Sequence, residues 1–241
     1  MGFSIQRFDT IDSTNTHAKA LAAAGKRNLC VTALRQTGGR GRMGRQFFSP
    51  EGSGLYFSLL VSPKVKGEDG ALLTTFAAVA VAEVLEELAG AKAQIKWVND
   101  VYLNGKKVCG ILTEGSVNYT TGEYEYAVIG IGINLHDMQF PPELSAIASD
   151  VETETGISLD RETVLQALLA KFENMDKRIA EGAFMESYRA RCFVIGKDVT
   201  VFRGTETYPA KVLDVNARGE LLISVEGETK TLQSGEVSVR I

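Results

Sequence analysis

Apolar and polar positions recur along this chain with two periods, helical and alternating, and the stretches over which each holds mark the expected elements. Residues 16–24 are Ala-rich and follow the capping cluster Asp12, Ser13, Thr14 and Asn15, which predicts a helix ending at Gly25. A β-type run at 29–34 leads into a long loop from Gln36 to about Gly54, and residues 55–61 resume as a strand. Over Ala71–Ala89 the apolar residues return at helical spacing until Gly90, so a largely buried helix is expected. Residues 94–103 and 106–114 read as two extended runs joined by Asn104-Gly105, the strongest short hairpin signal, and 125–134 as a further strand. The stretch 136–150 carries Pro141-Pro142 and little periodicity, so it reads as a loop. One amphipathic helix is expected over 161–180 and a shorter one over Phe184–Arg191. Beyond Gly196 the texture changes to short alternating runs at 198–202, 208–214, 221–225 and 229–234, separated by glycines. That change divides the chain into a larger unit, 1–194, and a small antiparallel barrel-like unit, 195–241.

Composition narrows the class. With 44% hydrophobic and 23% charged residues among 241, the chain can bury a real core. A net charge of -4 argues against coating nucleic acid over a broad surface, which needs an excess of Lys and Arg. The three cysteines, Cys30, Cys109 and Cys192, are odd in number and far apart, so neither a disulfide framework nor a zinc site is indicated, and a reducing cytoplasm fits best. No segment near Met1 has the length or apolarity of a signal peptide or membrane span.

Two segments carry chemistry. In Gly38-Gly39-Arg40-Gly41-Arg42-Met43-Gly44-Arg45, glycines allow close backbone approach and arginines supply donors suited to carboxylate or phosphate oxygens, so the loop suits an anionic ligand. It is no Walker A loop, because the closing Gly-Lys-Ser/Thr is missing. A flexible basic linker or an RNA tether is the plainer reading, weakened by the hydrophobic strands on either side. In the hairpin, a two-residue turn at Asn104-Gly105 sets Leu103 opposite Lys106, Tyr102 opposite Lys107 and Asp100 opposite Cys109. Asp100, Tyr102, Lys107 and Cys109 are then expected on one face, with Val101, Leu103 and Val108 on the other. By itself that is a cross-strand ion pair of small energetic weight.

Asp12-Ser13-Thr14-Asn15, the Gln36–Arg45 loop, the segment from Lys96 to Leu112 and Gly130-Ile131-Gly132-Ile133-Asn134 together resemble, in order and spacing, the biotin protein ligases. The resemblance implies an α+β fold, a mixed β-sheet packed on helices as in class II synthetases, followed by a small SH3-like β-barrel. It implies ATP-dependent activation of biotin to biotinyl-5'-AMP, with Mg²⁺, and transfer to a lysine of a biotin carboxyl carrier domain of acetyl-CoA carboxylase or a related carboxylase. By the same resemblance Ser13, Thr14, Asn15, Gln36, Gly39, Gly41 and Gly110 serve biotin. Arg40, Arg42 and Lys107 surround its carboxylate and the α-phosphate as the catalytic cations, and Arg42, Arg45, Phe47, Asn99, Asp100 and Asn134 serve the nucleotide. Phe47 stands where the family often has Trp, and Val98 where it commonly has Pro. Cys109 takes a small-residue position, read as a buried small hydrophobe. Ser13 and Thr14 are equally readable as helix caps. The motifs begin almost at Met1, so a form without the family's N-terminal DNA-binding domain is expected, with no DNA and no membrane as partner; monomer and homodimer both fit. Two rivals remain: a lipoate ligase sharing fold and chemistry, and a non-enzymatic RNA-binding module using the basic loop.

Overall fold

A computed structural model describes residues 2–233 and 237–240. Seven strands form a mixed sheet: β1 (Ser4–Ile11), β2 (Leu29–Gln36), β3 (Gly54–Val61), β4 (Ala93–Lys96), β5 (Asp100–Leu103), β6 (Lys106–Val117) and β7 (Tyr124–Asn134), in the order β1-β2-β3-β7-β6-β5-β4. Only β1 and β2 run parallel, joined through helix α1 (Thr14–Ala23); every other neighbouring pair is antiparallel. Strand β1 has no fully buried residue, so its alternation is too shallow to mark it in the sequence.

Helices cover the two faces unequally. Helix α2 (Ala71–Ala89) buries Leu73 to Ala82 without interruption, because it lies between the sheet and helices α5 (Arg161–Phe172), α6 (Met175–Glu181) and α7 (Phe184–Arg191). Phe76 packs edge-on against Phe172 and Phe184, ring centroids 5.4 and 5.6 Å apart. The other face carries α1, over a small cluster of Ala18, Ala22, Val31, Leu60 and Val128. Beyond the reach of that short helix the sheet face is left for a ligand. Between β7 and α5 lie two short helices, α3 (Pro142–Ser145) and α4 (Val151–Thr155).

The expected fold class holds, and three local expectations are corrected. The single helix over 161–180 is two, because the chain leaves helical geometry at Asn174 (φ -108°, ψ 18°), a weak helix former. The extended run 94–103 is two antiparallel strands that fold back with Lys96 opposite Asp100, through a turn in which the Trp97–Val98 peptide is cis. Third, Asp100 faces Gly110 and Val101 faces Cys109, because Val108 is an extra residue in the β5–β6 ladder. That bulge turns Val108 and Cys109 both into the core and leaves Lys107 facing Asp100.

The second sheet has the order β11-β10-β9-β8-β12, formed by β8 (Asp198–Arg203), β9 (Glu206–Val215), β10 (Leu221–Val225), β11 (Glu228–Leu232) and β12 (Val237–Arg240), all antiparallel. Part of the expected 229–234 run and the stretch up to 236 fall outside the described residues. Its core of Val199, Val201, Val212, Leu221 and Ile223 is continuous with the main one. Trp97 Nε1 donates to Gly219 O at 3.0 Å, and Arg218 Nε meets Asp69 Oδ1 at 2.8 Å. Among the described residues no helix is long and apolar enough to cross a membrane.

Candidate active site

The uncovered face carries a cavity of about 240 Å³. Its floor exists because β7 alternates isoleucine with small residues. Ile129, Ile131 and Ile133 enter the core beneath, while Gly130, Gly132 and Asn134 point the other way. A Cβ on Gly132 would overlap the Phe47 ring, one on Gly110 would come within 3.0 Å of it, and one on Gly130 would overlap the Asn15 amide. Phe47 therefore rests on bare backbone, between Gly130 and Asn134 along β7.

One end of the cavity is a web of neutral hydrogen bonds at the start of α1. Ser13 caps the helix, accepting from Thr16 N at 3.4 Å. Thr14 donates through its N–H (2.8 Å) and hydroxyl (3.1 Å) to Gln36 Oε1, and Gln36 Nε2 donates to Ser49 Oγ at 3.0 Å. Ser58, a lone polar residue in an apolar strand, lies between Thr14 Oγ1 (2.7 Å) and Asn15 Oδ1 (2.6 Å). Asn15 Nδ2 donates to Leu112 O at 3.3 Å and to Glu114 Oε2 at 3.0 Å.

Charge dominates the other end. Lys107 Nζ pairs with Asp100 Oδ1 at 2.7 Å; Asn99 Nδ2 donates to the same oxygen at 2.9 Å, and Arg42 donates to Asn99 Oδ1 at 3.1 Å. Burial pulls the Arg42 guanidinium below its ordinary value, and the Asp100 carboxylate opposes that. Burial, then the Asp100 charge, push the Tyr102 phenol up to about 12. The Trp97–Asn99 turn is fixed from behind by Tyr188, whose hydroxyl donates to Val98 O at 3.2 Å. Asn134 Nδ2 donates to Ser149 O at 2.9 Å, whereas its buried Oδ1 has no protein donor among the described residues.

The Arg/Gly loop folds over this floor as a flap. Phe47 N donates to Gly39 O at 2.9 Å and Gly41 N to Arg45 O at 2.7 Å, with Met43 at the tip at φ 55°. The opposite rim comes from residues 140–148. Lys107 N donates to Ile147 O at 2.9 Å, and Phe140, Leu144, Ile147 and Ala148 line the opening.

Of the residues singled out in the sequence, Ser13, Thr14, Asn15, Gln36, Arg40, Gly41, Arg42, Arg45, Phe47, Asn99, Asp100, Lys107, Gly110 and Asn134 all line the cavity. Gly39 does not; it is buried under the flap, where a Cβ would strike Phe47 O. The three expected catalytic cations are divided. Arg42 and Lys107 meet at Asn99 and Asp100, but Arg40 pairs with Glu114 at 3.2 Å. Glu114 lies seven residues along β6 from Lys107, on the order of 20 Å of extended chain. Sequence reasoning missed Ser58 and Glu114, and assigned Gly130 and Gly132 no role. The isolated Ser and the Gly-Ile-Gly alternation were readable signals, whereas residues 140–148 carry none.

Five cations, Arg40, Arg42, Arg45, Lys96 and Lys107, and one carboxylate, Asp100, are among the described residues lining the cavity. Such a site suits a ligand with several negative charges. No group of three or more His, Cys, Asp or Glu able to hold a metal occurs among the described residues.

Comparison with known proteins agrees with this geometry. Residues 7–134 match the model of the biotin/lipoate A/B protein ligase family. The bifunctional ligase/repressor BirA of Bacillus subtilis is 34% identical over 99% of this chain and 75% of its own length. A biotin–[acetyl-CoA-carboxylase] ligase of Paracoccus denitrificans is 31% identical over 94% of this chain and 96% of its own. Among solved structures, the biotin protein ligase of Aquifex aeolicus in complex with biotin and ATP superposes with a TM-score of 0.84, 31% identity and 98% of each chain covered.

Proposed function

The chain belongs to the biotin/lipoate A/B protein ligase family, and from that premise we propose that it is a biotin protein ligase whose two half-reactions take place on the floor built by β6 and β7. Biotin's carboxylate oxygen attacks the α-phosphorus of ATP, the bond to the β-phosphate oxygen breaks, and pyrophosphate leaves. A lysine amine of the acceptor then attacks the acyl carbon of biotinyl-5'-AMP, an amide forms, AMP leaves and the amine loses a proton.

One observation carries this reading: a neutral hydrogen-bonding end and a cationic end share one cavity across the Phe47 ring. The ureido ring of biotin needs donors and acceptors in an otherwise apolar pocket, which Ser13, Thr14, Asn15 and Gln36 supply. Condensing a carboxylate with a phosphate brings two anions together, and Lys107 and Arg42 offset their repulsion and stabilise charge developing at phosphorus. No side-chain nucleophile is required. Asn134 Oδ1 offers an acceptor to the nucleotide, with Arg45 and Asn99 beside it. Asp100, the lining carboxylate among the described residues, would help to hold a Mg²⁺ bound with ATP, which would supply further positive charge against the phosphates.

The acceptor is a biotin carboxyl carrier domain of acetyl-CoA carboxylase or a related carboxylase. Residues 1–194 form the catalytic unit and 195–241 the SH3-like unit. A net charge of -4 supports action without DNA, and three buried free thiols support a reducing cytoplasm. Incubation with ATP, Mg²⁺ and biotin should yield pyrophosphate, AMP and a biotinylated carrier domain. Turnover with lipoate and none with biotin would favour the lipoate-ligase reading instead.

A further inference from the structure

We infer that Glu114 is a positioning residue for biotin, fixing the Asn15 amide and tying the Arg/Gly flap to the sheet through Arg40. The inference rests on the ligase reading for its kinetic consequence, but not for its structural one.

Glu114 points from β6 to the cavity side and is ringed by three donors from two elements, α1 and the flap. Lys19 of α1 meets Oε1 at 2.9 Å, Arg40 of the flap meets Oε1 at 3.2 Å, and Asn15 Nδ2 reaches Oε2 at 3.0 Å. Its side chain is 19% exposed, against 44% for Arg40, so the carboxylate is the anchored partner and the guanidinium the tethered one. Burial works to raise the Glu114 carboxyl. Hydrogen bonds from Lys19 and Asn15 and the charges of Lys19 and Arg40 outweigh it and hold the group below its ordinary value.

The Asn15 amide is thereby oriented without ambiguity. Its Nδ2 is spent on Leu112 O and Glu114, and its Oδ1 receives Ser58 Oγ–H. The amide also lies against Gly130, where a Cβ would overlap it, so its place on the floor is defined as well as its orientation. At the flap, two backbone contacts, Phe47 N to Gly39 O and Gly41 N to Arg45 O, close the loop on itself, and Arg40 to Glu114 ties its side chain to the sheet. A single carboxylate thus holds an amide in the floor and one of the side-chain ties of the roof, Arg42 to Asn99 being another.

The test is Glu114→Gln in the full-length protein, with a double-mutant cycle against Arg40→Gln. Limited trypsinolysis without ligand reads the tether alone. Cleavage after Arg42 and Arg45 should quicken roughly fivefold in either single variant and no further in the double variant. For Glu114→Gln alone, initial rates of pyrophosphate release should show the biotin KM raised roughly five- to tenfold, with kcat and the ATP KM near wild type. Glu114→Asp, one methylene short of spanning both partners, should recover only part of the loss. Wild-type cleavage rates in Glu114→Gln, or additive effects in the cycle, would overturn the tether. An equal fall in kcat and a rise in both KM values would overturn the positioning role. If the wild-type protein failed to activate biotin, the ligase reading would fall while the trypsin result still decided the tether.

Discussion

The two ends of the cavity are organised by different physics. At the α1 end Thr14, Asn15, Gln36, Ser49 and Ser58 satisfy one another, so the surface is polar, neutral and already in shape. At the β5–β6 end Lys107 and Arg42 converge on one carboxylate and its neighbouring amide, and Asn134 keeps a buried acceptor without a protein donor among the described residues. A saturated network recognises by shape and geometry. A site with surplus positive charge and an unspent acceptor is completed only by the ligand. The lesson is that binding and chemistry are separable here, and substitutions at the two ends should fail in different ways.

The largest contrast should come from Lys107→Ala. Removing the ammonium beside Asp100 should slow adenylate formation by roughly 10²- to 10³-fold, read as pyrophosphate release, while the thermal midpoint shifts by only a few degrees. A midpoint that collapsed along with the rate would make Lys107 structural and erase the distinction. Next, Gln36→Ala takes away the acceptor shared by the Thr14 N–H and hydroxyl. Biotin affinity by calorimetry should weaken roughly thirtyfold with the ATP KM unchanged, because the loss lies at the neutral end.

The boundary between the ends can be moved as well. In Gly132→Ala the new methyl overlaps the Phe47 ring, so the ring must leave the floor and adenylation should slow by about tenfold. Phe47→Leu in the same chain should restore part of the rate; no recovery would place the fault in the sheet rather than under the ring. The smallest effect is the pH dependence of the Glu114 attachment. Its folded carboxyl sits below its ordinary value. Its contribution is therefore present above the unfolded value of about 4.3 and is lost as pH falls through the folded one. Glu114→Gln should lower a stability-versus-pH curve slightly near neutrality, where the contribution is present, and converge with wild type as pH falls below about 4.5, so that its acid limb is flatter. An acid limb identical to wild type would show that Lys19 and Arg40 do not hold the carboxylate in solution.

Much of this was legible in the chain. Asn104-Gly105 fixes a two-residue turn, and turn length sets which residues oppose one another near it, so Lys107 could be placed by Asp100 from sequence alone. The same counting failed two residues further on. The bulge at Val108 shifts the register by one, and a one-residue shift turns a side chain to the opposite face, sending Cys109 into the core. Glu114 escaped notice because its partners come from α1 and the flap, 95 and 74 residues away, and no local pattern encodes them.

By itself the sequence determined the periods, the caps, the turn at Asn104-Gly105 and a loop rich in Arg and Gly, all set by interactions within a few residues. Tertiary structure alone decided that Arg40 goes to Glu114 while Arg42 goes to Asn99, and that residues 140–148 form the opposite rim. Those outcomes depend on which segments meet in space, and the closure of a long loop onto a distant strand is selected by the packing of the whole molecule.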